Sequence, residues 1–294
     1  MTSGDRPYRQ RFLSAKDGLQ LAFRDYGNPR GPRCPLLCLP GLTRNAKDFR
    51  EVAKRLAAER RVIALDYRGR GRSAYDKTWR NYRPEVYIDD ILQLAAACNL
   101  HRAVVCGTSM GGLLAMALAA ALPGLLAGVV LNDIGPDLPK AAVDDIIITM
   151  DAAKPLPDWP AAVAHLQACL PKIAFSGRTT WQSFAEASYR EGDDGRLYPD
   201  WDPALLRPLK RAEAPPDNLW RYFRALRRIP TLSVRGELSE LFTRDCLAKM
   251  AAEKPDLRQV TVAGTGHAPA LDEAEAEAAL DSFLKECDQD YGKH

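Results

Sequence analysis

The sequence predicts an α/β chain built on a mostly parallel, doubly wound sheet that carries a helical insertion. Three observations carry this. Short apolar runs without polar alternation recur along the chain, amphipathic helical patterns separate them, and the alternation lapses between residues 136 and 218 before resuming.

Residues 9–26 read as two strands joined at Lys16-Asp17-Gly18, because a glycine after an aspartate supplies the positive φ that a tight hairpin needs. The runs Pro35–Leu39, Arg61–Leu65, Ala103–Cys106 and Gly128–Asn132 follow as strands. Their continuous apolar character predicts burial on both faces of a parallel sheet. Between them, Phe49, Val52, Ala53 and Leu56 share one helical face, as do Ile88, Ile91, Leu92 and Ala95, and Pro84 opens the second helix where a missing N–H costs nothing.

From Pro136 to about Asn218 the chain holds helical patterns, many prolines and Trp159, Trp181 and Trp201. This predicts a first core part over residues 1–135, an inserted helical cap over 136–218 and a second core part over 219–294. Strands at Pro230–Arg235 and Arg258–Val262 and a helix at Asp272–Cys287 complete the second part. Trp159 and Trp181 read as cap-core aromatics rather than pocket walls.

Composition limits the function. Apolar residues make up 46% and charged residues 27% of the chain, with a net charge of +3, a balance that fits a globular protein and leaves no nucleic-acid footprint. Arginines cluster at Arg60-Arg61, Arg68 to Arg72 and Arg227-Arg228, and each cluster reads as solvated surface. Seven cysteines without a CxxC pair predict reduced thiols, and the polar start of the chain has no apolar leader, so a cytosolic protein is expected. No segment approaches the ~18 apolar residues of a membrane span. Nothing in the chain sets an oligomeric state.

The chemical signal is strongest at Gly107-Thr108-Ser109-Met110-Gly111, which follows the strand Ala103–Cys106 and opens the Ala/Leu-rich helix Gly112–Ala121. A serine on a strand-to-helix turn flanked by glycines projects its hydroxyl above the sheet. That hydroxyl needs a base to act as a nucleophile. Of four histidines, His101 falls at the amino-terminal edge, His165 in a cap helix and His294 at the last position. His267, in Gly264-Thr265-Gly266-His267-Ala268-Pro269, follows a strand and faces the same carboxyl edge as Ser109. An oxyanion hole needs two backbone N–H groups. Met110, next to the serine, supplies one, and Leu42, in Pro40-Gly41-Leu42-Thr43 after the strand Pro35–Leu39, supplies the other.

These motifs, with Asp66-Tyr67-Arg68-Gly69-Arg70-Gly71-Arg72-Ser73 and the strand ending Asn132-Asp133, resemble the α/β-hydrolase superfamily over nearly the whole chain. The likeness is to its cap-bearing serine esterase and C–C hydrolase branches. It implies a Ser-His-acid triad acting on a small-molecule ester or thioester, with no metal or organic cofactor. Pro40 departs from the family, many of whose members have a histidine there. By this resemblance Glu240, in the loop after Pro230–Arg235, is the triad acid, with Asp133 the alternative because some relatives carry the acid after the preceding core strand. The Asp66–Ser73 turn is expected to be structural. The resemblance also admits C–C hydrolysis of a ring-cleavage product, or a non-catalytic receptor using the same pocket.

Overall fold

The computed structural model describes residues 7–211, 219–289 and 291. Strands β1 (Tyr8–Ser14), β2 (Gln20–Tyr26), β3 (Leu36–Leu39), β4 (Val62–Asp66), β5 (Ala103–Thr108) and β6 (Leu126–Asn132) come first. Helices α1 (Arg50–Leu56), α2 (Pro84–Ala97) and α3 (Met110–Ala121) alternate with them. Beyond β6 the chain forms α4 (Lys140–Asp151), α5 (Trp159–Cys169) and α6 (Trp181–Ser188), then the hairpin β7 (Tyr189–Glu191) and β8 (Leu197–Pro199), and then α7 (Leu206–Arg211). After α8 (Trp220–Arg224), the core elements β9 (Thr231–Gly236), α9 (Arg244–Glu253), β10 (Arg258–Val262) and α10 (Ala274–Gln289) close the chain.

Eight strands form one sheet in the order β1-β2-β4-β3-β5-β6-β9-β10. Only β2 runs against its neighbours; every other pairing, from β4 to β10, is parallel. The alternation of side chains explains the double winding. Leu37, Leu39, Ile63, Leu65, Val105 and Leu131 pack on one face with residues of α2 and α3, while Leu36, Cys38, Val62, Ala64, Val104 and Cys106 meet α1 and α10 on the other. Strands sandwiched in this way read as continuous apolar runs, which is why their boundaries were legible. On α10, Leu280, Phe283 and Leu284 are buried, each side chain stabilising the fold by roughly 1.5–3 kcal/mol.

Among its described residues, the segment between β6 and α8 adds no strand to this sheet. Its small hairpin is separate, and Trp159 and Trp181 pack with Leu156, Leu166 and Leu197 in a cluster of their own. The expected end of the insertion, residue 218, lies outside the described residues, as does His294.

The arginine clusters require correction. Arg60, Arg61, Arg68 and Arg70 are buried, whereas Arg72, Arg227 and Arg228 are exposed. Carboxylates distant in sequence compensate three of them: Arg60 pairs with Asp288, Arg61 with Asp25, and Arg68 with Asp17, Asp76 and Asp90. All seven cysteines are free thiols and six are buried. Among the described residues no helix is long and apolar enough to cross a membrane.

Candidate active site

The site forms at the carboxyl ends of the central strands, where four segments converge. Ser109 sits between β5 and α3 at φ 52 and ψ −120, a conformation that L-residues rarely adopt. Its N–H donates to the Asn132 carbonyl at 3.0 Å, and its own carbonyl accepts the Gly112 N–H at 2.8 Å. The glycines make this turn possible. A Cβ at Gly111 would lie 2.0 Å from the Leu39 carbonyl oxygen, and one at Gly107 would lie 2.3 Å from Gly111.

His267 lies between β10 and α10, and its Nε2 is 3.0 Å from Ser109 Oγ. Its Nδ1 is 2.7 Å from Asp133 Oδ2. With Nδ1–H donating to the carboxylate, Nε2 is left to accept the serine proton. The loop is held on both sides of the ring. The Pro269 carbonyl accepts from Asn132 Nδ2 at 2.9 Å, and the Ala270 N–H donates to Glu273 Oε1 at 2.8 Å. Burial pushes the Glu273 carboxyl above the usual carboxylate range.

The carboxylate beside His267 is therefore Asp133, and the expectation that placed Glu240 there is corrected. Glu240 pairs with Lys172, and its side chain is 71% exposed. The reason lies in the sheet. β6 and β9 are neighbours, so both strand ends lie near His267, but the turn after β9 points its donors at Asp133. Asp133, fully buried at φ 54, accepts the Gly236 N–H at 2.7 Å and the Ser239 hydroxyl at 2.6 Å in addition to His267. These three donors hold the carboxylate in place beside the imidazole ring. Ser239 and Asn132 were missed in the sequence; both stand next to residues that were singled out, which was the available signal.

Leu42 and Met110 flank Ser109 from the β3 loop and the first position of α3. Among the described residues neither N–H has an acceptor within the protein. Leu42 lines a cavity of about 490 Å³ together with Gly41, Ser109 and His267. Residues between β6 and α8, among them Ile146, Leu166, Phe175, Phe184 and Trp201, supply apolar walls, and Arg44 and Lys172 supply charge. Of the remaining histidines, His165 lines this cavity with its Nε2 3.6 Å from Cys169 Sγ, and His101 is exposed ahead of β5.

The fold that carries this serine, histidine and aspartate is matched over most of the chain. A family model for the α/β hydrolase fold covers residues 35–274. The chain belongs to the α/β-hydrolase fold family. Among curated relatives, it is 33% identical over 258 residues to the 3-hydroxybutyrate-oligomer hydrolase of Cupriavidus necator, covering 85% of this chain and 87% of that one. It is 31% identical over 240 residues to the 2-(acetamidomethylene)succinate hydrolase of Mesorhizobium japonicum, covering 79% and 81%. Among solved structures, an α/β hydrolase from Novosphingobium aromaticivorans superposes with a TM-score of 0.89 at 38% identity over 96% of this chain and 99% of that one. Hydrolase chemistry is thus supported by relatives that match along most of their length.

Proposed function

We propose that this α/β hydrolase is a serine hydrolase that cleaves a small carboxylic ester or thioester through an acyl-enzyme on Ser109. The observation that carries the reading is the continuous chain from Asp133 through His267 to Ser109, with spacings of 2.7 and 3.0 Å.

In this mechanism Ser109 Oγ attacks the substrate carbonyl as its proton passes to His267 Nε2, and the carbonyl π electrons move to oxygen. Leu42 and Met110 N–H groups hold the resulting alkoxide, while Asp133 stabilises the imidazolium. Collapse of the adduct breaks the ester C–O bond, and the leaving alcohol takes the proton from His267. Water then attacks the acyl-Ser109 ester as His267 again accepts the proton, and collapse of the second adduct breaks the Oγ–C bond, releasing the acid while His267 returns the proton to Ser109 Oγ. No step calls on a metal or an organic cofactor.

The relative named for hydrolysing 3-hydroxybutyrate oligomers supports esters of short hydroxy acids as the first substrates to test. In this reading residues 136–218 act as a cap that selects substrate, since every group in the reaction lies outside them. The test is labelling by a fluorophosphonate, located by peptide mass spectrometry, together with a panel of nitrophenyl esters, thioesters, 3-hydroxybutyrate dimer ester and a vinylogous diketone. Labelling at Ser109 with ester turnover is expected. Turnover of the diketone alone would move the protein to C–C hydrolysis, and binding with neither labelling nor turnover would make it a receptor.

A further inference from the structure

The Asp66–Ser73 turn supplies no reacting group, yet it buries a charge directly behind the oxyanion loop. Arg70 is 0% exposed. Arg68, two residues earlier, is matched by three carboxylates, but among the described residues Arg70 has no ion-pair partner. Its Nε–H donates to the Leu42 carbonyl at 2.8 Å, and Nη1 donates to the Arg68 carbonyl and the Tyr87 hydroxyl, each at 2.9 Å. Nη2 has no acceptor among the described residues. The rings of Tyr87, Tyr67 and Tyr82 lie 4.9, 5.6 and 6.0 Å from the guanidinium carbon. Burial pushes all three phenols up, so they stay neutral and offer π-faces rather than a counter-charge.

A guanidinium buried without an anion is costly, and an apolar side chain of similar length fills such a space with less desolvation. Packing alone therefore does not account for an arginine here. Its contacts do. The Gly41 carbonyl, which shares a peptide plane with the Leu42 N–H, accepts from the Arg44 N–H at 3.2 Å, while Arg70 holds the carbonyl on the other side of the same residue. Both peptide planes that flank the Leu42 Cα are fixed, and the Leu42 N–H is left without an acceptor at the cavity rim.

We infer that Arg70 is a positioning residue for the oxyanion hole: it fixes the Leu42 peptide, and its positive charge, without an ion-pair partner among the described residues, is held behind the loop that carries the Leu42 N–H. The inference rests on the serine-hydrolase reading above. A charge held in a dry, preorganised setting acts on the transition state rather than on the bound substrate.

The experiment compares wild type with Arg70→Met in turnover of nitrophenyl acetate and in affinity for a trifluoromethyl ketone, which forms the tetrahedral adduct on the serine. A loss of kcat on the order of 10- to 100-fold is expected, with KM within about threefold and ketone affinity falling in step with kcat. If Arg70→Met does not fold, Arg70→Gln is read by the same two quantities. A folded variant whose kcat and ketone affinity stay within about threefold of wild type, or whose change lies in KM alone, overturns the inference. Wild type without turnover or labelling sinks the serine-hydrolase reading and this inference with it, whereas equal turnover in wild type and variant sinks this inference alone.

Discussion

Asp133 Oδ2 lies 2.7 Å from His267 Nδ1, while Glu240, the other acid on that rim, is turned toward Lys172. This relationship assigns the third member of the proposed triad to the end of β6 rather than to the loop after β9. Replacing Asp133 by Asn keeps the shape but inverts the hydrogen-bond preference toward His267, favouring the wrong tautomer. The expected loss in kcat is on the order of 10⁴-fold. Glu240→Gln breaks only an exposed ion pair and should leave kcat within about twofold. Steady-state kinetics on both purified, folded variants decide; the reverse ranking would return the role to Glu240.

The cap reading separates substrate choice from catalytic competence. Ile146 and Phe184 line the cavity from α4 and α6, whereas Ser109, His267, Leu42 and Met110 lie outside the insertion. Enlarging the cavity with Phe184→Ala should shift preference toward longer acyl chains, changing relative kcat/KM by about tenfold, with acetyl ester turnover largely retained. A chain-length series of nitrophenyl esters measures this. Abolition of acetyl ester turnover in a folded Phe184→Ala protein would undo the separation.

Most of the site was legible because its local chemistry is dense. The turn at Ser109 needs glycine at 107 and 111 for contact reasons that leave a written pattern, and His267 follows a strand whose carboxyl end the alternation already places. The acid was less legible because it depends on which of two neighbouring strand ends turns its donors inward. Gly236 N–H and Ser239 Oγ converge on Asp133, and no spacing in the sequence announces that convergence. The arginines were misread for a related reason. A run such as Arg68 to Arg72 looks solvated until the fold brings Asp17 and Asp90 to it from other elements.

Those buried pairs predict a stability phenotype remote from the site. Arg68 donates to both oxygens of Asp90 at 2.8 and 2.7 Å, and the two side chains are each 1% exposed. Arg68→Ala leaves Asp90 buried without its counter-charge and should cost about 3–5 kcal/mol. Urea unfolding monitored by tryptophan fluorescence tests this; a loss below about 1 kcal/mol would mean that water or another cation replaces the arginine.

The most direct test of the central claim is turnover of nitrophenyl acetate by Ser109→Ala, with folding checked by circular dichroism and thermal melting. The substitution removes one oxygen from a turn that Gly107 and Gly111 still permit. The account predicts a fall in kcat of ~10³-fold or more with the Tm little changed. Wild-type turnover by the folded variant would contradict it.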